Sequence, residues 1–127
     1  MIGNGVCDDA TELDLSKYPL LRSVRIGNNC FSNVNVLNIT ELGALESVVI
    51  GMNSFTKNKY SVGNNPNRHF SLTNCPKLKS LKMDWYSFSD YRVIEIENVD
   101  ALEVIEMNTY NFYYASLELK SILILDE

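Results

Sequence analysis

Apolar residues recur along the chain in a fixed phase. From Leu21 the sequence runs LRSVRIGNNCF, and from Leu45 it runs LESVVIGMNSF, sharing L-x-S-V-x-I-G-x-N-x-F at a spacing of 24 residues. LKSLKMDWYSF from Leu78 and LEVIEMNTYNF from Leu102 keep the same phase, again 24 apart, whereas 33 residues separate Leu45 from Leu78, a nine-residue insertion. Each unit carries a second alternating segment, seen in Leu13 and Leu15, Leu37 and Ile39, and Ile94 and Ile96. Leu15, Ile39, Leu72 and Ile96 stand six residues before a unit's first leucine, and Tyr18, Leu42, Cys75 and Val99 follow them by three. Alternation with a period of two marks a strand with one buried face. A single unit cannot bury that face, but neighbouring units laid on one another can. The pattern therefore predicts a repeat solenoid with little helix and two extended segments per turn. It has about five turns over residues 1–127, one domain, with an insertion loop within 56–70. Ile2-Gly3-Asn4 repeats Ile26-Gly27-Asn28, and LKSILI from Leu119 echoes LKSLKM from Leu78, so both ends read as partial units of a longer array.

The pattern L-x-x-L-x-L-x-x-N-x-F resembles the leucine-rich repeat family over nearly the whole chain, in the irregular, β-rich form of microbial and protist repeat proteins. The resemblance implies a parallel β-sheet on a concave face and an extended or short-strand convex side. It places Asn29 and Asn53 in the asparagine ladder, where the amide satisfies backbone groups of the turn leaving the strand; Tyr86 and Tyr110 replace them later. Phe31, Phe55, Phe88 and Phe112 would form a spine under that turn, and Gly27 and Gly51 would supply a permissive backbone at the bend. The family binds partners through solvent-facing strand positions. Carried over, these are Ser23, Arg25 and Asn28; Ser47, Val49 and Met52; Ser80, Lys82, Asp84 and Trp85; and Val104, Glu106, Asn108 and Thr109. Among them Arg25, Val49, Met52, Lys82, Asp84, Trp85, Glu106 and Asn108 are the candidate partner-binding face. The row Arg25, Val49, Lys82, Glu106 has no single sign of charge, which suits protein contact better than phosphate tracking. Trp85, the only tryptophan, falls just past its strand, as a binding anchor or as packing beside Tyr86 and Tyr110.

Composition narrows the function classes. Hydrophobic residues make up 46% and charged residues 21%, so a buried core forms and disorder is excluded. The net charge of −5 argues against duplex nucleic acid. It is unevenly spread: residues 1–91 balance at +1 and residues 92–127 at −6. That acidic end steers a basic partner or guards a terminal strand against edge pairing. No apolar run spans a bilayer and no leader is legible, so membrane insertion is not expected. A cytoplasmic location is then favoured over a surface location. Asparagine and leucine each occur 15 times, the asparagines mostly in turns.

Candidate chemistry is sparse. The insertion TKNKYSVGNNPNRHF carries Lys57, Lys59, Arg68 and His69, a candidate binding loop or simply a surface excursion, with a turn at Gly63 to Pro66. The single histidine has no partner motif for a metal or a catalytic dyad. Glu95 and Glu97 share a strand face and read as solvated charges. Cys7, Cys30 and Cys75 fall at mostly core-phased positions, and Asn38-Ile39-Thr40 matches a glycosylation acceptor that matters only in a secreted chain. No catalytic residue, metal or cofactor is expected. The reading is a non-catalytic protein-interaction module, with self-association through uncapped ends. The alternatives are a structural or adhesive segment of a surface repeat protein, or the regulatory repeat region of a larger enzyme.

Overall fold

The computed structural model describes residues 9–57, 65–107 and 116–119, and its regular structure is nearly all strand. The strands are β1 (Glu12–Asp14), β2 (Ser23–Ile26), β3 (Val36–Thr40), β4 (Ser47–Ile50), β5 (Asn65–Thr73), β6 (Ser80–Met83), β7 (Tyr91–Glu97), β8 (Val104–Glu106) and β9 (Ser116–Leu119). One 3-10 turn, Leu15–Lys17, is the only helical element among the described residues. Asp14 caps it by accepting from the Ser16 amide at 3.0 Å and the Ser16 hydroxyl at 2.5 Å. These bonds stabilise the ionised carboxylate and hold Asp14 below the usual carboxyl range.

Consecutive strands alternate between two sheets. The odd strands form a five-stranded sheet in the order β1-β3-β5-β7-β9, and the even strands a four-stranded sheet in the order β2-β4-β6-β8. Every pairing is parallel. The register follows the sequence spacing: Val24 pairs with Val48 and Val48 with Leu81, while Leu37 pairs with Phe70 and Phe70 with Ile94. The inward residues of both sheets, with Leu42, Leu45, Cys75 and Leu78, join one hydrophobic cluster. Burying an aliphatic side chain of this size contributes roughly 1.5–3 kcal/mol, so in-register repetition gives each unit its own share of the core.

The corners rest on left-handed backbone at non-glycine residues. Asn29 and Phe31, Asn53 and Phe55, and Tyr86 and Phe88 leave the even strands with φ between 57° and 65°. Glu41, Asn74 and Asn98 are also left-handed, with φ of 55–57°, after β3, β5 and β7. Such a backbone is unfavourable for residues with a Cβ, by about 1–2 kcal/mol. Packing opposes that cost at the phenylalanines. The Phe31 and Phe55 rings stack at 5.3 Å, Phe55 and Phe88 at 4.8 Å, and Phe70 lies against Phe88 at 4.9 Å. Phe112 and Tyr110 lie outside the described residues.

Several sequence expectations change. The polar ladder sits one residue beyond the expected phase, after Asn53 and Tyr86: the Ser54 hydroxyl donates to the Gly27 carbonyl and the Ser87 hydroxyl to the Gly51 carbonyl, both at 2.7 Å. Asn29 is exposed and Asn53 Oδ1 is buried without a hydrogen-bond partner, so these residues serve the turn through their left-handed backbone. An asparagine pair does form at the opposite corner, where Asn98 Nδ2 donates to Asn74 Oδ1 at 2.9 Å. Gly51 is needed for space rather than for backbone freedom. A Cβ there would lie 2.5 Å from the Gly27 carbonyl carbon and oxygen. Leu119 pairs with Ile96, not in the phase of Leu78. Tyr18 is exposed, although Leu42, Cys75 and Val99 at the same phase are buried. Cys7 and residues 2–4 lie outside the described residues.

Candidate partner-binding face

Outward positions of the four-stranded sheet line up by register. Arg25 pairs with Val49, Val49 with Lys82 and Lys82 with Glu106. Arg25, Lys82 and Glu106 are exposed and Val49 is half-buried, because alternation turns the odd-numbered side chains of β2 and β4 away from the core. Lys82 Nζ stands 3.9 Å from Glu106 Oε1, a pair open to solvent on both sides. Just past the strands, Asn29 N donates to the Met52 carbonyl and Asn53 N to the Trp85 carbonyl, so Asn28, Met52 and Trp85 occupy successive rungs. Met52 is 38% exposed and Trp85 43%. Two large apolar side chains therefore stand in solvent on adjacent rungs, beside the mixed charges of the strand row. Asp84 is exposed and its Oδ1 accepts from the Trp85 amide at 2.8 Å, which fixes the backbone carrying the indole. The Trp85 ring lies 6.4 Å from that of Tyr86, tilted by 46°. Asn108 and Thr109 lie outside the described residues.

The candidate binding loop divides. Lys57 is exposed, and Lys59 lies outside the described residues. Arg68 and His69 are strand residues of β5, with His69 half-buried between Val36 and Val93. Arg68 was read as a loop cation, but it is 1% exposed and both terminal nitrogens of its guanidinium are hydrogen-bonded. Nη1 meets Asp90 Oδ2 at 2.7 Å, and Nη2 donates to the Ser32 and Val34 carbonyls at 2.7 and 2.8 Å. Its guanidinium carbon also lies 4.9 Å from the Tyr91 ring centre. The physical reason is that a planar guanidinium can serve one carboxylate and two carbonyls at once, which makes it the cation best suited to burial. Tyr91 donates its hydroxyl to the Val34 carbonyl, and burial raises its phenol well above the ordinary range. This buried cluster went unseen in the sequence. The available signal was Ser89-Asp90-Tyr91 just ahead of the alternating Ile94 and Ile96, one unit after Arg68.

Other candidates hold no assembled chemistry. Cys30 and Cys75 are buried free thiols, and burial raises the Cys75 thiol. Asn38 lies inside β3, paired between Asp14 and Ser71, which removes it from the open chain that glycosylation needs. Among the described residues no group of three or more His, Cys, Asp or Glu is placed to hold a metal, and no helix is long and apolar enough to cross a membrane. Comparison with models of protein families, with curated proteins and with solved structures returned no match.

Proposed function

We propose that the chain is a leucine-rich-repeat-like solenoid acting as a non-catalytic protein-interaction module. The alternation of strands between two parallel sheets, with pairings that follow the 24- and 33-residue sequence spacing, supports the solenoid. The observation that carries the binding reading is the exposure of Met52 and Trp85 on adjacent rungs beside Arg25, Lys82 and Glu106. Aromatic anchors framed by charged residues are the usual energetic centre of a protein interface. Backbone hydrogen bonds already fix these positions, so binding would order few groups. The partner would present an apolar cleft for the indole, with a mixed-charge rim.

The test is affinity capture with the intact chain and with Trp85→Ala and Met52→Ala. Glu95→Ala on the other sheet serves as control, and each variant is checked for an unchanged thermal transition. A protein captured by the wild type and by Glu95→Ala, and lost with Trp85→Ala, supports the reading. Capture indifferent to Trp85 removes it.

A further inference from the structure

Arg68 is the largest of the fully buried side chains, and only its two terminal nitrogens are bonded as described above. Its third nitrogen, Nε, is buried as well and has no hydrogen-bond partner among the described residues. A charged donor left in that condition is costly. Asn35 Oδ1 is a buried acceptor in the same condition. The register brings the two side chains together. Val36 pairs with His69, and His69 N donates to the Asn35 carbonyl at 2.8 Å, so Asn35 and Arg68 stand side by side one position earlier. Leu37 and Phe70, two positions further along each strand, are fully buried and paired. Alternation therefore turns Asn35 and Arg68 to the same inner side, on chains about 4.8 Å apart.

A guanidinium is planar, and its Nε–H points to the same side as one of the Nη2 hydrogens. Whatever accepts from Nε therefore lies beside a carbonyl that Nη2 serves. The Val34 carbonyl accepts from Nη2 and from the Tyr91 hydroxyl, which uses both of its lone pairs. The Ser32 carbonyl accepts from Nη2 at 2.7 Å and has a second lone pair. A group placed between these atoms must accept once, from Nε, and donate twice, to Asn35 Oδ1 and the Ser32 carbonyl. Neither kind of ion does this. A cation is repelled by the guanidinium, an anion is repelled by the two oxygens, and Asp90 already balances the charge of Arg68.

We propose that Arg68 Nε, Asn35 Oδ1 and the Ser32 carbonyl bind one water molecule, at about 2.7–3.2 Å from each. The water completes the bonding of the buried cation and ties the chain leading into β3 to β5. Asn35 is half-buried, so the site lies at the margin of the core, where water can enter. Asp90 Oδ1 also has no partner among the described residues, but it is not a fourth member. Its carboxylate is held at Nη1, the nitrogen on the far side from the Nε–H. None of these atoms belongs to the Met52 and Trp85 face.

Nuclear magnetic resonance of the full chain in water tests the inference. The Arg68 Nε–H proton gives a cross-peak at the water frequency, and rotating-frame spectra identify it by sign as dipolar contact rather than proton exchange. Tyr91→Phe and Ser32→Ala remove neighbouring hydroxyl protons that also resonate with water, and the cross-peak survives both. Asn35→Leu removes one acceptor and fills the space, and the cross-peak disappears while the Arg68 contacts to the Ser32 and Val34 segment persist. A crystal structure of the wild type is the second measurement and does not depend on any variant folding. It shows one density peak within hydrogen-bond distance of Nε, Asn35 Oδ1 and the Ser32 carbonyl. A wild-type Nε–H with no dipolar contact to water overturns the proposal, as does a cross-peak lost with either hydroxyl. So does a crystal structure in which Nε donates directly to a protein atom, those of residues 58–64 included.

Discussion

Arg68 Nη1 lies 2.7 Å from Asp90 Oδ2 where almost no solvent reaches, and the same carboxylate oxygen accepts from the Lys57 amide at 3.1 Å. One carboxylate of β7's approach therefore holds both ends of the stretch that interrupts the 24-residue spacing. Removing one partner strands the other charge in the interior, at a cost of about 3–5 kcal/mol. Arg68→Ala and Asp90→Ala should each show that loss in chemical denaturation. The double replacement Arg68→Met with Asp90→Leu should lose less than the two single losses added together. Single losses under about 1 kcal/mol would mean that the pair is not buried in solution.

Phe55 lies between two stacked neighbours, at 5.3 Å from Phe31 and 4.8 Å from Phe88, with Tyr91 edge-on at 6.5 Å. Phe55→Ala empties the middle of that column and should destabilise by about 3–5 kcal/mol. Denaturation midpoints at unchanged slope are the measurement.

The two glycines at 43 and 51 should respond in opposite ways. Gly43→Ala meets nothing within 4 Å, whereas Gly51→Ala drives a Cβ into the Gly27 backbone at 2.5 Å. Overpacking against backbone costs about 1–3 kcal/mol or more. Thermal denaturation should separate the variants clearly, and equal melting temperatures would refute the close approach.

Glu41 adopts the left-handed backbone that Asn74 and Asn98 adopt at the same corner. Asparagine tolerates that region better than glutamate. Glu41→Asn should therefore raise stability, by up to about 1 kcal/mol. A lowered melting temperature would show that the glutamate contributes something the backbone does not reveal.

Tyr91 gives a pH signature. Burial raises its phenol, against the lowering effect of Arg68, so the folded chain keeps a proton that the unfolded chain releases. The associated stability is complete below the ordinary tyrosine value, about pH 10, and is lost as pH rises beyond it. Tyr91→Phe loses the bond to the Val34 carbonyl and should be less stable near neutrality by about 1 kcal/mol. The gap to the wild type should shrink or reverse in strong alkali. Melting curves across that range check it, and a constant gap would contradict the shift.

Much of the strand arrangement was legible because parallel pairing copies sequence spacing into space. Val24, Val48 and Leu81 could be aligned by counting, and the register aligns them. The corners were less legible. An asparagine before a phenylalanine signals a turn, yet left-handed φ values do not show in hydropathy, and the hydrogen-bonding serines at 54 and 87 stand out by no periodicity. Arg68 was misread for a related reason. A cation among asparagines looks solvated until the carboxylate that neutralises it, 22 residues later, is brought beside it. Among the candidate face residues, Arg25, Lys82 and Glu106 followed directly from strand parity. The exposure of Met52 and Trp85 depended on turn geometry, which parity does not reach.

Asp90 also bears on the order in which the molecule is made. On a ribosome, Lys57 and Arg68 emerge before the carboxylate that joins them. The earlier strands can pair as they appear, but Arg68 has no counter-charge with which to enter the interior until residue 90 follows. The middle of this protein is therefore finished from its carboxyl side, and a nascent chain halted before Asp90 would hold β2 and β4 ready while β5 waits.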